Sequence, residues 1–296
     1  MMSDALKLAN VLPPLFACSL IGSIWASYVS MHLWPLLQLG TPLELRDPEA
    51  WRRGVWQACV SQALVAMLVV CYAKVVLTGP GEVPDSVEWK MGESMASSLR
   101  GTREVKTSGQ KRHCKWCLKY KPDRCHHCRM CKVCVLKMDH HCPWVANCIG
   151  FRNHKYFFLL VIYSELSCLF IALTVLGSVV ASLDQEMPTG HRFLLAWCAT
   201  LSVVMGVLLG IFLSFHSWLM LSGLTTIEFC EKGATEGRDR SWTTPRRSQC
   251  QSYDRGLCTN VLAVLGPRPL LWLLPCSPPA GDGVSWGAAL AAAPAP

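Results

Sequence analysis

Four stretches of this chain are long and apolar enough to cross a lipid bilayer: Val11–Leu33, Val55–Leu77, Phe157–Leu183 and Phe193–Leu221. A hydrocarbon core of ~30 Å takes about 20 helical residues. Hydrocarbon offers the backbone no hydrogen-bond partner, so such stretches must be helices. Buried helices of a large soluble core seldom run beyond about 20 residues without a polar face. Composition agrees, since only 16% of the 296 residues are charged, against about 25% in a soluble domain. An ordinary soluble enzyme and a disordered chain are both excluded. The expected fold is an α-helical polytopic membrane protein. The first apolar run is long enough to span and stay, rather than to be removed as a signal peptide. Glu165 and His216 interrupt the third and fourth runs; polar groups at that depth should face the bundle interior.

Lysine and arginine set the orientation, because they accumulate on the cytoplasmic side. Residues 78–156 carry fifteen of them against seven acids, whereas the loop 184–192 has only Arg192 and the first loop balances three arginines with three acids. The basic loop and both termini are therefore expected in the cytosol. This divides the chain into residues 1–77 (tail and two spans), a cytosolic domain at 78–156, two more spans within 157–221, and a cytosolic tail at 222–296. That tail is polar to about Gly256. It ends in a Pro/Ala-rich piece, Pro267–Pro296, whose Leu270–Leu274 run is too short to span. Weak order or a position on the membrane surface is expected there.

Eight of the seventeen cysteines and five of the nine histidines fall between His113 and Cys148. The cytosol is reducing, so this cluster should hold metal or perform chemistry rather than form disulfides. Four Cys-x-x-Cys steps (Cys114/Cys117, Cys125/Cys128, Cys128/Cys131 and Cys131/Cys134) provide the short chelate that tetrahedral zinc prefers. The segment has too little apolar content to fold unaided, so bound metal would supply its folding free energy. Two closed zinc sites need eight ligands, and the segment offers thirteen. Spacing alone does not say which are left over. Cys142 has the surroundings of a nucleophile, since it follows His140 and His141, with Asp139 available to orient an imidazole. A membrane-tethered nucleic-acid module would need the C2H2 layout with its twelve-residue gap, which is absent, so nucleic acid is not an expected partner. A RING-like pair of zinc sites orders its ligands differently and leaves no spare thiol.

The string Asp139-His140-His141-Cys142, in a cysteine-rich domain between the second and third of four spans, resembles the DHHC-type protein S-acyltransferases. The resemblance continues through Lys121-Pro122-Asp123-Arg124, Pro143-Trp144, Asn147-Cys148-Ile149-Gly150, Asn153 and Phe157. After the fourth span, Thr225-Thr226-Ile227-Glu228 is similar to the family's Thr-Thr-x-Glu motif. Tyr253-Asp254-Arg255-Gly256, with Asn260 and Gly266, is similar to its carboxy-terminal aromatic/asparagine motif. Gly79-Pro80-Gly81 departs from the usual Asp-Pro-Gly but keeps the turn chemistry.

The resemblance implies two structural zinc ions, one held by Cys114, Cys117, His127 and Cys134, the other by Cys128, Cys131, His141 and Cys148. Cys125 and His126 receive no metal role. Cys142 then remains free as the nucleophile, with His140 as its base and Asp139 behind it. The implied reaction takes a fatty acyl group from palmitoyl-CoA or another long-chain acyl-CoA to Cys142, then to cysteine thiols of membrane-associated proteins. Trp144 would cover the thioester and Thr226 would hydrogen-bond near Asp139. Arg112, Lys121 and Arg124 would meet the CoA phosphates, and Ser167 would set the depth available to the acyl chain among the spans. A small residue there implies tolerance of chains of palmitate length or longer.

Overall fold

The structure, a computed structural model, describes residues 4–91, 102–106, 108–184, 186–231, 253–277, 279 and 281–286. The polar stretch 232–252 and the end of the Pro/Ala-rich tail, 287–296, lie outside the described residues. Helix α1 (Asp4–Tyr28) runs through a π-helical turn (Val29–Leu33) into α2 (Trp34–Leu37), and then come α3 (Pro48–Leu77), α4 (His154–Asp184) and α5 (Thr189–Leu221). The π turn has a covalent cause. Pro35 has no N–H to give the carbonyl one turn back, so the hydrogen-bond ladder widens where it arrives. Four helical stretches, Asn10–Leu37, Pro48–Leu77, His154–Asp184 and Thr189–Leu221, are long and apolar enough to cross a membrane. Each begins earlier than its apolar run, and at α3 a capped polar turn provides the extension. Asp47 accepts the N–H of Glu49 at 2.9 Å, and Pro48 opens α3 with its fixed φ.

The chain divides into two compact units, one of residues 1–72 and 158–214, the other of 73–157 and 215–296. In the first, Ile24, Tyr28 and Leu33 pack with Ile171, Val175, Leu195 and Cys198, while aliphatic side chains such as Leu173 and Ile211 face outward. Polar side chains inside it pair across helices, as low-dielectric surroundings require. The Tyr28 hydroxyl meets Thr174 Oγ1 at 2.9 Å, and His32 bridges Ser178 Oγ at 2.7 Å and Gln57 Oε1 at 2.8 Å. Glu165 is buried, as its charge demands. Its Oε1 lies 3.2 Å from where a Cβ on Gly210 would stand, so that glycine makes room for the carboxylate.

The second unit is built on three antiparallel hairpins. They pair β1 (His113–Cys114) with β2 (Lys119–Tyr120), β3 (His126–Cys128) with β4 (Val133–Val135), and β5 (His140–Cys142) with β6 (Asn147–Ile149). Two short helices follow, α6 (226–231) and α7 (Leu257–Leu265). Val83, Trp89, Leu136, Phe151, Tyr253 and Trp286 form its apolar core. Three asparagines satisfy carbonyls that helix ends leave open. Asn147 Nδ2 donates to the carbonyls of Val75 and Thr78, and Asn153 Nδ2 to that of Thr78. Asn260 Nδ2 donates to Leu221 O at 2.8 Å. The Gly79-Pro80-Gly81 turn accepts Leu136 N–H and Arg152 N–H on its carbonyls. Gly150 packs so closely here that a Cβ would meet Val135 Cγ1 at 2.5 Å and Pro80 O at 2.8 Å.

Candidate functional site

The first two hairpins turn through Cys-x-x-Cys followed by a left-handed residue, Leu118 (φ 53°) in one and Lys132 (φ 59°) in the other. Each turn aims the second cysteine's N–H at the first one's sulfur, at 3.4 Å for Cys117 to Cys114 and 3.3 Å for Cys131 to Cys128. The next hairpin contributes two residues directly opposite one another, His127 with Cys134 and His141 with Cys148. Two interleaved quartets result: Cys114, Cys117, His127, Cys134 and Cys128, Cys131, His141, Cys148. Their ligand atoms lie within 4.8 Å of one another. Zn–S of ~2.3 Å and Zn–N of ~2.0–2.1 Å at tetrahedral angles give S···N edges of about 3.5 Å. The observed sulfur–Nδ1 edges are 3.3 and 3.8 Å around His127, and 3.4, 3.6 and 3.7 Å around His141. Each quartet can hold a metal ion, and its Cys3His donors and edge lengths fit zinc. Among the described residues every cysteine is free of disulfide bonding.

Cys142 stands outside both quartets. Side chains alternate along a strand, so with His141 turned toward Cys148 and the metal ligands, His140 and Cys142 share the opposite face of β5. Cys142 is 6% exposed and shares a side-chain hydrogen bond with His140. His140 Nδ1 lies 2.7 Å from Asp139 Oδ2, which leaves Nε2 for the thiol. Its ring packs edge-on to Phe157 and near His216, at centroid distances of 5.1 and 5.9 Å. His216 is thus turned inward beside the candidate site.

Asp139 is almost completely buried, and α6 holds it there. Thr225-x-x-Glu228 closes a capping box: Thr225 Oγ1 accepts the N–H of Glu228, whose carboxylate accepts the N–H of Thr225. The following residue, Thr226, gives Asp139 its N–H at 2.9 Å and its hydroxyl at 2.8 Å. Burial alone would raise the Asp139 carboxyl, but the His140 hydrogen bond, neighbouring imidazoles and the Thr226 N–H hold it well below the usual range. Burial likewise opposes a charged His140, yet its hydrogen bonds to Asp139 and Cys142 outweigh it and hold His140 up at about 9. Asp139 thus favours the charged form of His140, the form it reaches on accepting a proton from Cys142.

The three arginine and lysine candidates separate. Arg124 does not face an open surface. Its guanidinium is buried, bidentate to Glu228 at 2.6 and 2.8 Å, bonded to Gly223 O, and lies against the Tyr253 and Trp286 rings. Arg112 pairs with Glu104 and donates to Cys125 O. Lys121 lines an open basic pocket of about 450 Å3 with Lys106, Lys115, Trp116, His126 and Arg129. His126, given no metal role by the resemblance, belongs to that pocket wall. Burial, then the charges of Arg112 and Lys121, lower it to about 3, so it stays neutral. Trp144 is half exposed just beyond Cys142. Ser167 is buried in the helical unit with its hydroxyl donated to Tyr163 O at 2.7 Å. Sequence reasoning missed the Arg124–Glu228 pair, whose members lie 104 residues apart and carry no local signal.

The DHHC palmitoyltransferase family profile matches residues 107–233. Palmitoyltransferase ZDHHC15 of Homo sapiens is 39% identical over 181 residues, 60% of this chain and 51% of that protein. Palmitoyltransferase ZDHHC2 of Danio rerio is 36% identical over 181 residues, 60% and 47% of the two chains. Probable protein S-acyltransferase 16 of Arabidopsis thaliana is 34% identical over 248 residues, 81% of this chain and 83% of that protein. The chain spans about half the length of the vertebrate relatives and most of the plant one.

Proposed function

The chain belongs to the DHHC palmitoyltransferase family, and from that premise we propose that it is a protein S-acyltransferase with Cys142 as its nucleophile. One observation carries the reading: Cys142 is left over by both metal quartets and is hydrogen-bonded to a histidine that Asp139 orients. His140 takes the thiol proton, and the Cys142 sulfur attacks the thioester carbonyl of a long-chain acyl-CoA such as palmitoyl-CoA. The carbon–sulfur bond to CoA breaks, and His140 returns the proton to the departing CoA sulfur. A cysteine of a membrane-associated protein gives its proton to His140 and attacks the acyl-enzyme, and the released Cys142 sulfur takes that proton back from His140. Asp139 stabilises the imidazolium in both steps and fixes its tautomer.

Zinc in both quartets would supply the folding free energy of the hairpins and hold in place the strand that carries His140 and Cys142. The open pocket around Lys121 suits the CoA phosphates, with Lys106, Lys115 and Arg129 at its wall. Arg112 would contribute its field from beside the pocket. Arg124 is a positioning residue in this reading, since it holds the helix that holds Asp139. Trp144 would shield the thioester. The basic loop argues for a cytosolic site in an endomembrane or plasma membrane.

The test is incubation of purified protein with labelled palmitoyl-CoA. Hydroxylamine-sensitive label should appear on Cys142 and then pass to a cysteine-bearing acceptor peptide in lipid. Cys142→Ser should take up no such label. Label persisting in Cys142→Ser would overturn the assignment.

A further inference from the structure

The second unit encloses a cavity of about 120 Å3 that the acyl-transfer steps do not use. Its wall includes Arg124, Lys137, His154, Arg255, Trp286 and Ala263. Lys137 is the unusual member. Its side chain is buried, and its ammonium makes one long hydrogen bond, 3.4 Å to Ala263 O, with the Trp286 ring 5.8 Å away. Among the described residues no carboxylate lies within ion-pairing distance of it. The nearest guanidinium, Arg124, is already neutralised by Glu228. Two further polar atoms of the wall residues, His154 Nδ1 and Trp286 Nε1, are buried without a hydrogen-bond partner.

Native proteins rarely leave such groups unsatisfied, and each case asks for a missing water or ion. Water would complete hydrogen bonds here but not the charge, and an uncompensated buried charge is the costlier defect. Burial, joined by the Arg124 charge, outweighs the more distant carboxylates of Glu228 and Asp139 and pulls Lys137 down to about 7. A buried ammonium and the unpartnered Trp286 indole N–H in the wall of one small chamber fit a compact tetrahedral oxyanion.

We propose that this cavity is a binding site for a single phosphate group, held by Lys137 and the Trp286 indole N–H, with Arg255, which already donates to Trp286 O, beside it. His154 opens α4, and Met220 and Gly223, also in the wall, stand at the end of α5. Spans leave the membrane at such ends, where lipid phosphates lie. The phosphate group therefore comes either from a phosphomonoester lipid headgroup or from free phosphate. Bound there, it ties the loop carrying Lys137, two residues before Asp139, to the carboxy-terminal segment carrying Trp286. The proposal is independent of the transferase reading.

Equilibrium dialysis of the full chain in phosphatidylcholine-doped micelles, with radiolabelled inorganic phosphate at constant ionic strength, tests it. One phosphate per chain is expected. If the natural source is lipid, micelles doped with phosphatidic acid will displace the label; if it is free phosphate, they will not. Lys137→Met should weaken binding at least tenfold. Ala263→Leu, which fills the chamber and alters no charge, should abolish it. Lys121→Met, in the separate open pocket, should leave it unchanged. Zinc content shows that each variant is folded, and should Lys137→Met fail to fold, Ala263→Leu decides. Absence of stoichiometric binding by the native protein, or binding that survives Lys137→Met or Ala263→Leu, overturns the proposal.

Discussion

Replacing Thr226 with valine removes one atom's worth of chemistry from the Asp139 site. The side chain keeps its shape, but the 2.8 Å hydrogen bond from the hydroxyl to Asp139 Oδ2 is lost. Asp139 retains the Thr226 N–H at 2.9 Å and His140 at 2.7 Å, so the carboxylate loosens without being orphaned. A hydrogen bond to a charged group contributes about 1.5–3 kcal/mol. If it acts by orienting His140, that loss falls on the step in which the imidazolium forms. At about 1.4 kcal/mol per tenfold in rate, acylation of Cys142 should slow roughly 10- to 100-fold. The assay is the single-turnover rate of hydroxylamine-sensitive labelling from palmitoyl-CoA, with zinc content and melting temperature measured alongside. Thr226→Ser keeps the hydroxyl and should recover most of the rate. A valine variant that acylates at the native rate with both metals in place would refute the reasoning, as would a serine variant no better than valine.

Other perturbations separate structure from chemistry. Glu228→Gln leaves the Arg124 charge buried and half-partnered, which should cost about 3–5 kcal/mol and show as a large fall in melting temperature. Replacing both residues with methionine should recover part of it. Chelating the metal should unfold the hairpins, seen as rapid proteolysis within residues 108–150 while helical circular dichroism from the spans persists. Ser167→Phe should shift acyl-CoA preference toward shorter chains in competition labelling; an unchanged chain-length profile would remove Ser167 from the specificity determinants.

The apolar runs made the four spans legible from sequence, because the bilayer leaves one solution for such stretches. Their starts were less legible: Asp47 and Pro48 extend α3 by a capped polar turn that hydropathy does not register. The cysteine cluster announced metal, but not the pairing. That emerges from strand register, which sets His127 against Cys134 and His141 against Cys148, and spacing alone carries no register. The surroundings of Arg124 were illegible for a related reason. A lone arginine in a basic loop reads as surface charge, and its partner Glu228 lies 104 residues away. Lys137 was equally invisible, since nothing local indicates that a lysine between Leu136 and Met138 is enclosed by Trp286 and Ala263.

The central claim is that one thiol of the cluster is exempt from metal binding and carries the acyl group. Native mass spectrometry of the protein after brief exposure to palmitoyl-CoA tests it most directly. The account predicts two zinc ions and one palmitoyl group on the native chain, and two zinc ions with no palmitoyl group on Cys142→Ala. Loss of a zinc ion from Cys142→Ala, or a palmitoyl group still attached to it, would contradict the account.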